Sequence, residues 1–195
     1  MSKSDPASRR KERNKTIRWV ITIFLVTIFV SGTISYVSDE IMARSSMTVA
    51  FLILLAIILL GIIFDIIGVA VTSADEKPFH SMAARKVNGA QDSIRLLRNA
   101  ERVSSICNDV VGDICGVVSG SASATIAAQL LRNFEFTAEY VIPLAMSALV
   151  AGFTVGGKAI GKTFAMNSCT KIVHSVGKIL WAFHRIPQNL KKSKK

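Results

Sequence analysis

Three carboxylates, Asp65, Asp109 and Asp113, fall inside long apolar stretches of the sequence. An aspartate at the centre of a membrane-crossing helix costs about 2.5–3.5 kcal/mol to insert, so each needs a partner or a task. Asp109 and Asp113 are four apart and share one helical face. Ser104, Ser105 and Asn108 precede them on the same stretch and add hydroxyl and amide oxygens. That donor set suits a hard cation such as Mg2+, which takes an octahedron of oxygens at about 2.0–2.1 Å. The same residues are equally those of carboxylates near a membrane interface, protonated or hydrogen-bonded to neighbouring helices. Spacing leaves both readings open.

Other chemistries find little footing. Gly156, Gly157, Lys158, Ala159, Ile160, Gly161, Lys162 and Thr163 spell G-x-x-x-x-G-K-T, the formal phosphate-loop pattern. A working phosphate loop follows a buried strand of an α/β sheet, whereas this one ends an apolar run with too little chain after it for a nucleotide domain. Cys107, Cys115 and Cys169 are odd in number and lack C-x-x-C spacing, so they read as small packing residues rather than a disulfide framework or zinc site. His80, His174 and His184 have no ligand spacing. No nucleophile, base and orienting group can be assembled, and the chain is not expected to be an enzyme.

The elements that must position these groups are helices in a membrane. Half of the sequence is hydrophobic, only 19% is charged, and the net charge is +11. The basic segments lack the interleaved aromatics of a base-stacking surface, so the charge does not point to nucleic acid. Residues 1–18 form a basic tail with few apolar side chains. Residues 19–37 are uncharged and match the ~20 residues needed to cross a hydrocarbon layer of ~30 Å. A basic head before an apolar core is also the pattern of a cleaved leader, but the core is long and no A-x-A-like site follows, which favours a retained helix. After the polar stretch SDEIMARSS, Met47 to Phe64 carries no charge, and apolar character resumes beyond Asp65.

Residues 74–102 are too polar to span. Ala83, Val87, Ala90, Ile94 and Leu97 make a narrow apolar stripe with Arg85, Asp92 and Arg95 turned away, as in a helix lying along the membrane surface. Pro78 suits a helix start, and Gly89 weakens the helix. A third span is expected over about 103–131, with Gly112, Gly116 and Gly120 as a small-residue ladder for close helix approach inside the bundle. A fourth covers about 137–160, with kinks expected at Pro143 and at glycines 152, 156 and 157. Beyond it, Ile172, Val173, Val176, Ile179, Leu180 and Phe183 oppose Lys171 and Lys178 as in an interfacial helix, before a basic end. Of 24 Lys and Arg, 22 lie in the tail, in residues 73–102 or from Lys158 onward. The positive-inside rule then puts both termini in the cytoplasm.

Over about residues 48–173 the order of features resembles the transmembrane domain of the CNNM/CorB/CorC family of magnesium transporters. The resemblance lies in IIFDIIGVAVTSADEKPFHSMAARKVNGAQDSIRLLRNAERVSSI, in TVGGKAIGK and in KIVHSVGKIL. LLRNAERVSS stands where the family has a leucine-rich helix ending N-P-E-R-F before a Ser-Thr pair, matched here by Ser104 and Ser105. TVGGKAIGK stands where the family has G-E-I-x-P-K, with Lys158 on the signature's lysine, Thr154 near its acidic residue and Gly157 near its proline. The family's S-x-S-E reads here as Asp65, Ile66, Ile67 and Gly68. An aspartate at 65 restores the negative charge missing at Thr154, or else the ion site has been lost and the fold kept. No CBS pair follows, and the first span is additional to the family's three.

The expectation is thus an all-α, polytopic membrane helix bundle of four transmembrane helices, one N-terminal plus a three-helix core, with juxtamembrane amphipathic helices. Its parts are the tail (1–18), the first span (19–37), the family-like domain (48–173) and an amphipathic, basic end (174–195). The leading expectation is divalent-cation transport or binding, with Mg2+ as the ion, Asp65, Ser104 and Asp109 supplying oxygens, Asp113 and Thr154 as second candidates, and Ser105 beside Ser104 in the pair that resembles the family's. The small-residue ladder of the third span leads to the expectation of a homodimer in the cell membrane. The rival expectation is a non-transporting scaffold or regulatory subunit whose intramembrane acids pair with a separate partner protein.

Overall fold

Hydropathy and helix propensity converge on one element type along this chain. The computed structural model describes residues 6–133 and 140–192. Among the described residues all regular structure is helical: α1 (Pro6–Arg44), α2 (Met47–Ser73), α3 (Lys77–Ala84), α4 (Ala90–Arg98), α5 (Ala100–Ser105), a π-helical segment (Ile106–Gly112), α6 (Asp113–Asn133) and α7 (Val141–Lys192). Four stretches are long and apolar enough to cross a membrane, Thr16–Met42, Met47–Ser73, Ala100–Arg132 and Val141–His184. At 1.5 Å per residue the 27 residues of α2 reach about 40 Å, more than a hydrocarbon layer. Large apolar side chains such as Phe29, Leu52, Leu144, Phe153 and Ile160 line the outside of these helices. Water would not tolerate so continuous an apolar surface, whereas acyl chains match it.

Several boundaries differ from the sequence expectation, each for a local reason. Residues 6–18 continue α1 rather than forming a separate tail, since nothing between Pro6 and Trp19 breaks a helix. The polar stretch before α2 is helical as far as Arg44, where Arg44 pairs with Glu40 one turn back, leaving only Ser45 and Ser46 as the connection. The surface stripe is two helices, not one. Lys86 (φ 55°) and Gly89 (φ 84°) take left-handed conformations between them, and Pro78 sits in the first turn of α3. Asp92 does not turn away to solvent: it is buried, 3.2 Å from Arg95 Nη1 and 3.8 Å from His184 Nδ1. In α7 no kink occurs at Pro143, which lies in the first turn where its missing N–H costs little. The helical dihedrals are interrupted at Ser168 instead (φ −122°, ψ 18°). The loop expected over 132–136 is still helical at Arg132 and Asn133, where α6 ends, and the rest of it lies outside the described residues.

Two apolar clusters hold the bundle together. One joins the paired ends of α1, α2, α6 and α7 through Met42, Leu54, Ile58, Ile126 and Val150. There Gln129 Nε2 donates to Met42 O (2.9 Å) and Thr125 Oγ1 to Asp39 Oδ1 (3.4 Å), fixing α1 on α6. The other cluster, Val71, Phe79, Leu97, Ala165 and Val173, seats α3 and α4 between α2 and the far arm of α7. Phe79 is fully buried, worth about 1.5–3 kcal/mol on transfer. At its rim Ser93 Oγ shares its proton between Gly89 O (3.0 Å) and Val173 O (3.2 Å). A Cβ on Gly177 would come within 2.6 Å of Gly89 O, so the two backbones cross in near contact. Between the clusters, α2, the π segment and α7 leave a polar waist.

Candidate functional site

The waist is built on one face of α2, where Gly61, Asp65 and Gly68 succeed one another by a helical turn. Glycine at 61 lets Cys115 approach, since a Cβ there would lie 2.9 Å from the Cys115 Cβ. Gly68 faces the Asn108 side-chain amide so closely that any Cβ would overlap it. Between these two approaches, Asp65 Oδ1 meets Lys158 Nζ of α7 at 3.7 Å, the side chains keeping 16% and 27% of their exposure. The ammonium reaches this depth because Gly112 ends the π segment there: a Cβ on Gly112 would sit 3.4 Å from Nζ.

Oxygen-bearing side chains continue the polar line in both directions. On one side, Asn108 lies a turn from Gly112 and donates through Nδ2 to Ser104 Oγ (3.2 Å), while its Oδ1 is buried without a hydrogen-bond partner. On the other, Thr154 lies a turn from Lys158, and its Oγ1 is likewise buried and unpartnered. Buried polar atoms are paired in most native structures, and each exception calls for an explanation. The π segment adds to the polarity, because its wider i→i+5 bonding interrupts the α-helical ladder, a feature that recurs at functional sites.

The expected ligands thus divide into two groups. Asp65, Ser104 and Thr154 belong to the waist. Ser105, Asp109 and Asp113 do not. Ser105 Oγ donates to Asp109 Oδ2 (2.8 Å), and both carboxylates are exposed on the outer side of the π segment and α6. Among the described residues no three His, Cys, Asp or Glu side chains gather as a metal site. The glycine ladder is divided the same way: Gly112 faces the waist, while a Cβ on Gly116 or Gly120 would meet nothing within 4 Å. The phosphate-loop pattern is entirely helical inside α7 and forms no loop. Cys107 and Cys115 are buried free thiols and Cys169 is half-buried, as packing residues are.

Two participants went unselected by sequence reasoning. Lys158 was counted with the basic flank after the fourth span, yet α7 runs on, and the apolar contacts of Ala165 and Val173 lie beyond it. Its signal was the first charged residue met along the fourth apolar helix matching the one charged residue of α2, the complementary pair expected where charges enter a bilayer. Asn108 was noted as an oxygen donor without being placed among the ligands.

Comparison of the chain with family models, with curated proteins and with solved structures finds no match. The class rests on the fold itself: among the described residues all regular structure is helical, with four helices long and apolar enough to span a membrane.

Proposed function

We propose that this is a multi-pass protein of the cell membrane, with both termini cytoplasmic, that binds and passes a divalent cation, Mg2+ foremost, through the waist between α2, the π segment and α7. The observation that carries the reading is the pair of buried, unpartnered oxygens, Asn108 Oδ1 and Thr154 Oγ1, on either side of Asp65. Carboxylate, amide and hydroxyl oxygens are the donors a hard cation prefers, and a desolvated ion would satisfy the atoms left without hydrogen bonds. Ser104 orients the Asn108 amide from the next turn. A second copy of the chain would cover the outer face of α6, where Gly116 and Gly120 offer close approach and Asp113 has no ion-pair partner among the described residues. Mg2+ flux into proteoliposomes tests the proposal: wild type should carry Mg2+ and Asp65→Ala should not, and equal flux from the two would end the assignment.

The Asp65–Lys158 pair favours a second reading, since it neutralises the waist without any ion. The protein would then be a membrane scaffold or regulatory subunit that keeps the fold. Stoichiometric co-purification of a partner protein, with thermal stability indifferent to Mg2+, would select that reading.

A further inference from the structure

Resting on the cation-handling reading above, we propose that Lys158 determines whether the waist is occupied, its ammonium standing as a tethered cation in the place a metal ion must take. The geometry of the pair carries the argument. Lys158 Nζ lies 3.7 Å from Asp65 Oδ1, close enough for ionic attraction but beyond ordinary hydrogen-bond distance. The ammonium has three donors, yet Asn108 Oδ1 and Thr154 Oγ1, a turn away in each direction, go unpaired. Lys158 therefore balances the charge of the waist without completing its hydrogen bonding. A metal ion coordinated by several oxygens at once is chemically better matched to such a set.

Charge then sets the order of events. Asp65 and Lys158 together are neutral, and no other carboxylate faces the waist among the described residues, Asp109 and Asp113 being on the outer side. A divalent ion entering beside the ammonium meets repulsion that one carboxylate does not cancel, and at low effective dielectric that repulsion is large. Binding thus requires the ammonium to swing aside. A flexible four-carbon stem allows this where an arginine's planar fork would hold the carboxylate more firmly. Gly112 provides the space in which Nζ rests. Lys158 is in this sense a specificity-determining residue: an ion enters only if it outcompetes an attached cation for Asp65.

The test is Mg2+ titration, by calorimetry, of the full chain in lipid nanodiscs. Wild type, Lys158→Met, Lys158→Arg and the double variant Lys158→Met with Asp65→Asn are compared. Lys158→Met should bind Mg2+ about tenfold more tightly than wild type or better. Lys158→Arg should bind no more tightly than wild type, and the double variant should lose the gain. If Lys158→Met and wild type bind Mg2+ equally, the tethered-cation role is overturned while the cation site survives. If none of the proteins binds Mg2+, the cation-handling reading itself fails, and the inference with it. Should Lys158→Met not accumulate in the membrane, Lys158→Gln, which keeps a hydrogen-bonding group near Asp65, carries the same comparison.

Discussion

The run from the end of α5 through the π segment to the first turn of α6 presents two polar strips, one neutral and one acidic, and they meet opposite surroundings. Ser104 and Asn108 face α2 and α7, where glycines at 61, 68 and 112 remove side-chain bulk and Asp65 has a cationic partner. Ser105, Asp109 and Asp113 face outward, where Gly116 and Gly120 have open space beside them and the carboxylates have no cationic partner among the described residues. A carboxylate in an apolar span thus says only that something must compensate it. The depth of its neighbours decides what that compensation is. Inside the bundle it is an ammonium. On the outside it is a single hydroxyl at 2.8 Å from Asp109.

Substitutions should separate the two strips sharply. The largest effect is expected at Gly68→Val, where the new side chain overlaps the Asn108 amide and forces α2 from the π segment. Thermal unfolding in detergent should show a loss at the upper end of the ~1–3 kcal/mol seen for overpacked cores, or failure to accumulate. A folded Gly68→Val variant of wild-type stability would mean that this contact is not close. Next comes Asp65→Asn, which leaves the Lys158 ammonium unpaired at 27% exposure. The cost should be about 2 kcal/mol, below the 3–5 kcal/mol of a fully buried broken pair. Asp113→Asn, on the outer strip, should change stability by less than ~0.5 kcal/mol. Equal losses from the two asparagines would erase the distinction between inside and outside. The smallest effect on the protomer should come from Gly120→Val, whose side chain meets nothing within 4 Å. Cross-linking in membranes should nevertheless report fewer dimers for this variant than for wild type, if a second copy seats on that face.

The same contrast explains what the sequence disclosed. Apolar runs of about the length that crosses a bilayer announced the four spans despite the aspartates within them, because lipid leaves the backbone no alternative to a helix or a closed barrel. The four-residue spacing of Asp109 and Asp113 implied a shared face, and both are exposed. It could not say which face, since the direction of a helix side chain in a bundle depends on partners distant in sequence. Nothing in Ile106–Gly112 advertises π bonding, so the separation of Ser104 from Ser105 into inner and outer strips was hidden as well. Asp92 misled for a related reason. Its polarity put it on the solvent side of a lone surface helix, but Arg95 and His184 make burial against the far arm of α7 tolerable. Element ends were the least visible, because α1 and α7 lack capping or breaking residues where charge begins.

The break at Ser168 gives α7 a joint. The arm that carries Lys158 is fitted to α2 through Gly157 and Gly161, which lie against Ile62 and Ile66, whereas the arm beyond Ser168 is clasped to α4 by Ser93 and the crossing of Gly89 with Gly177. A helix with one non-helical residue bends there before it bends anywhere else. A pull on the carboxyl-terminal arm would therefore be taken up first at Ser168.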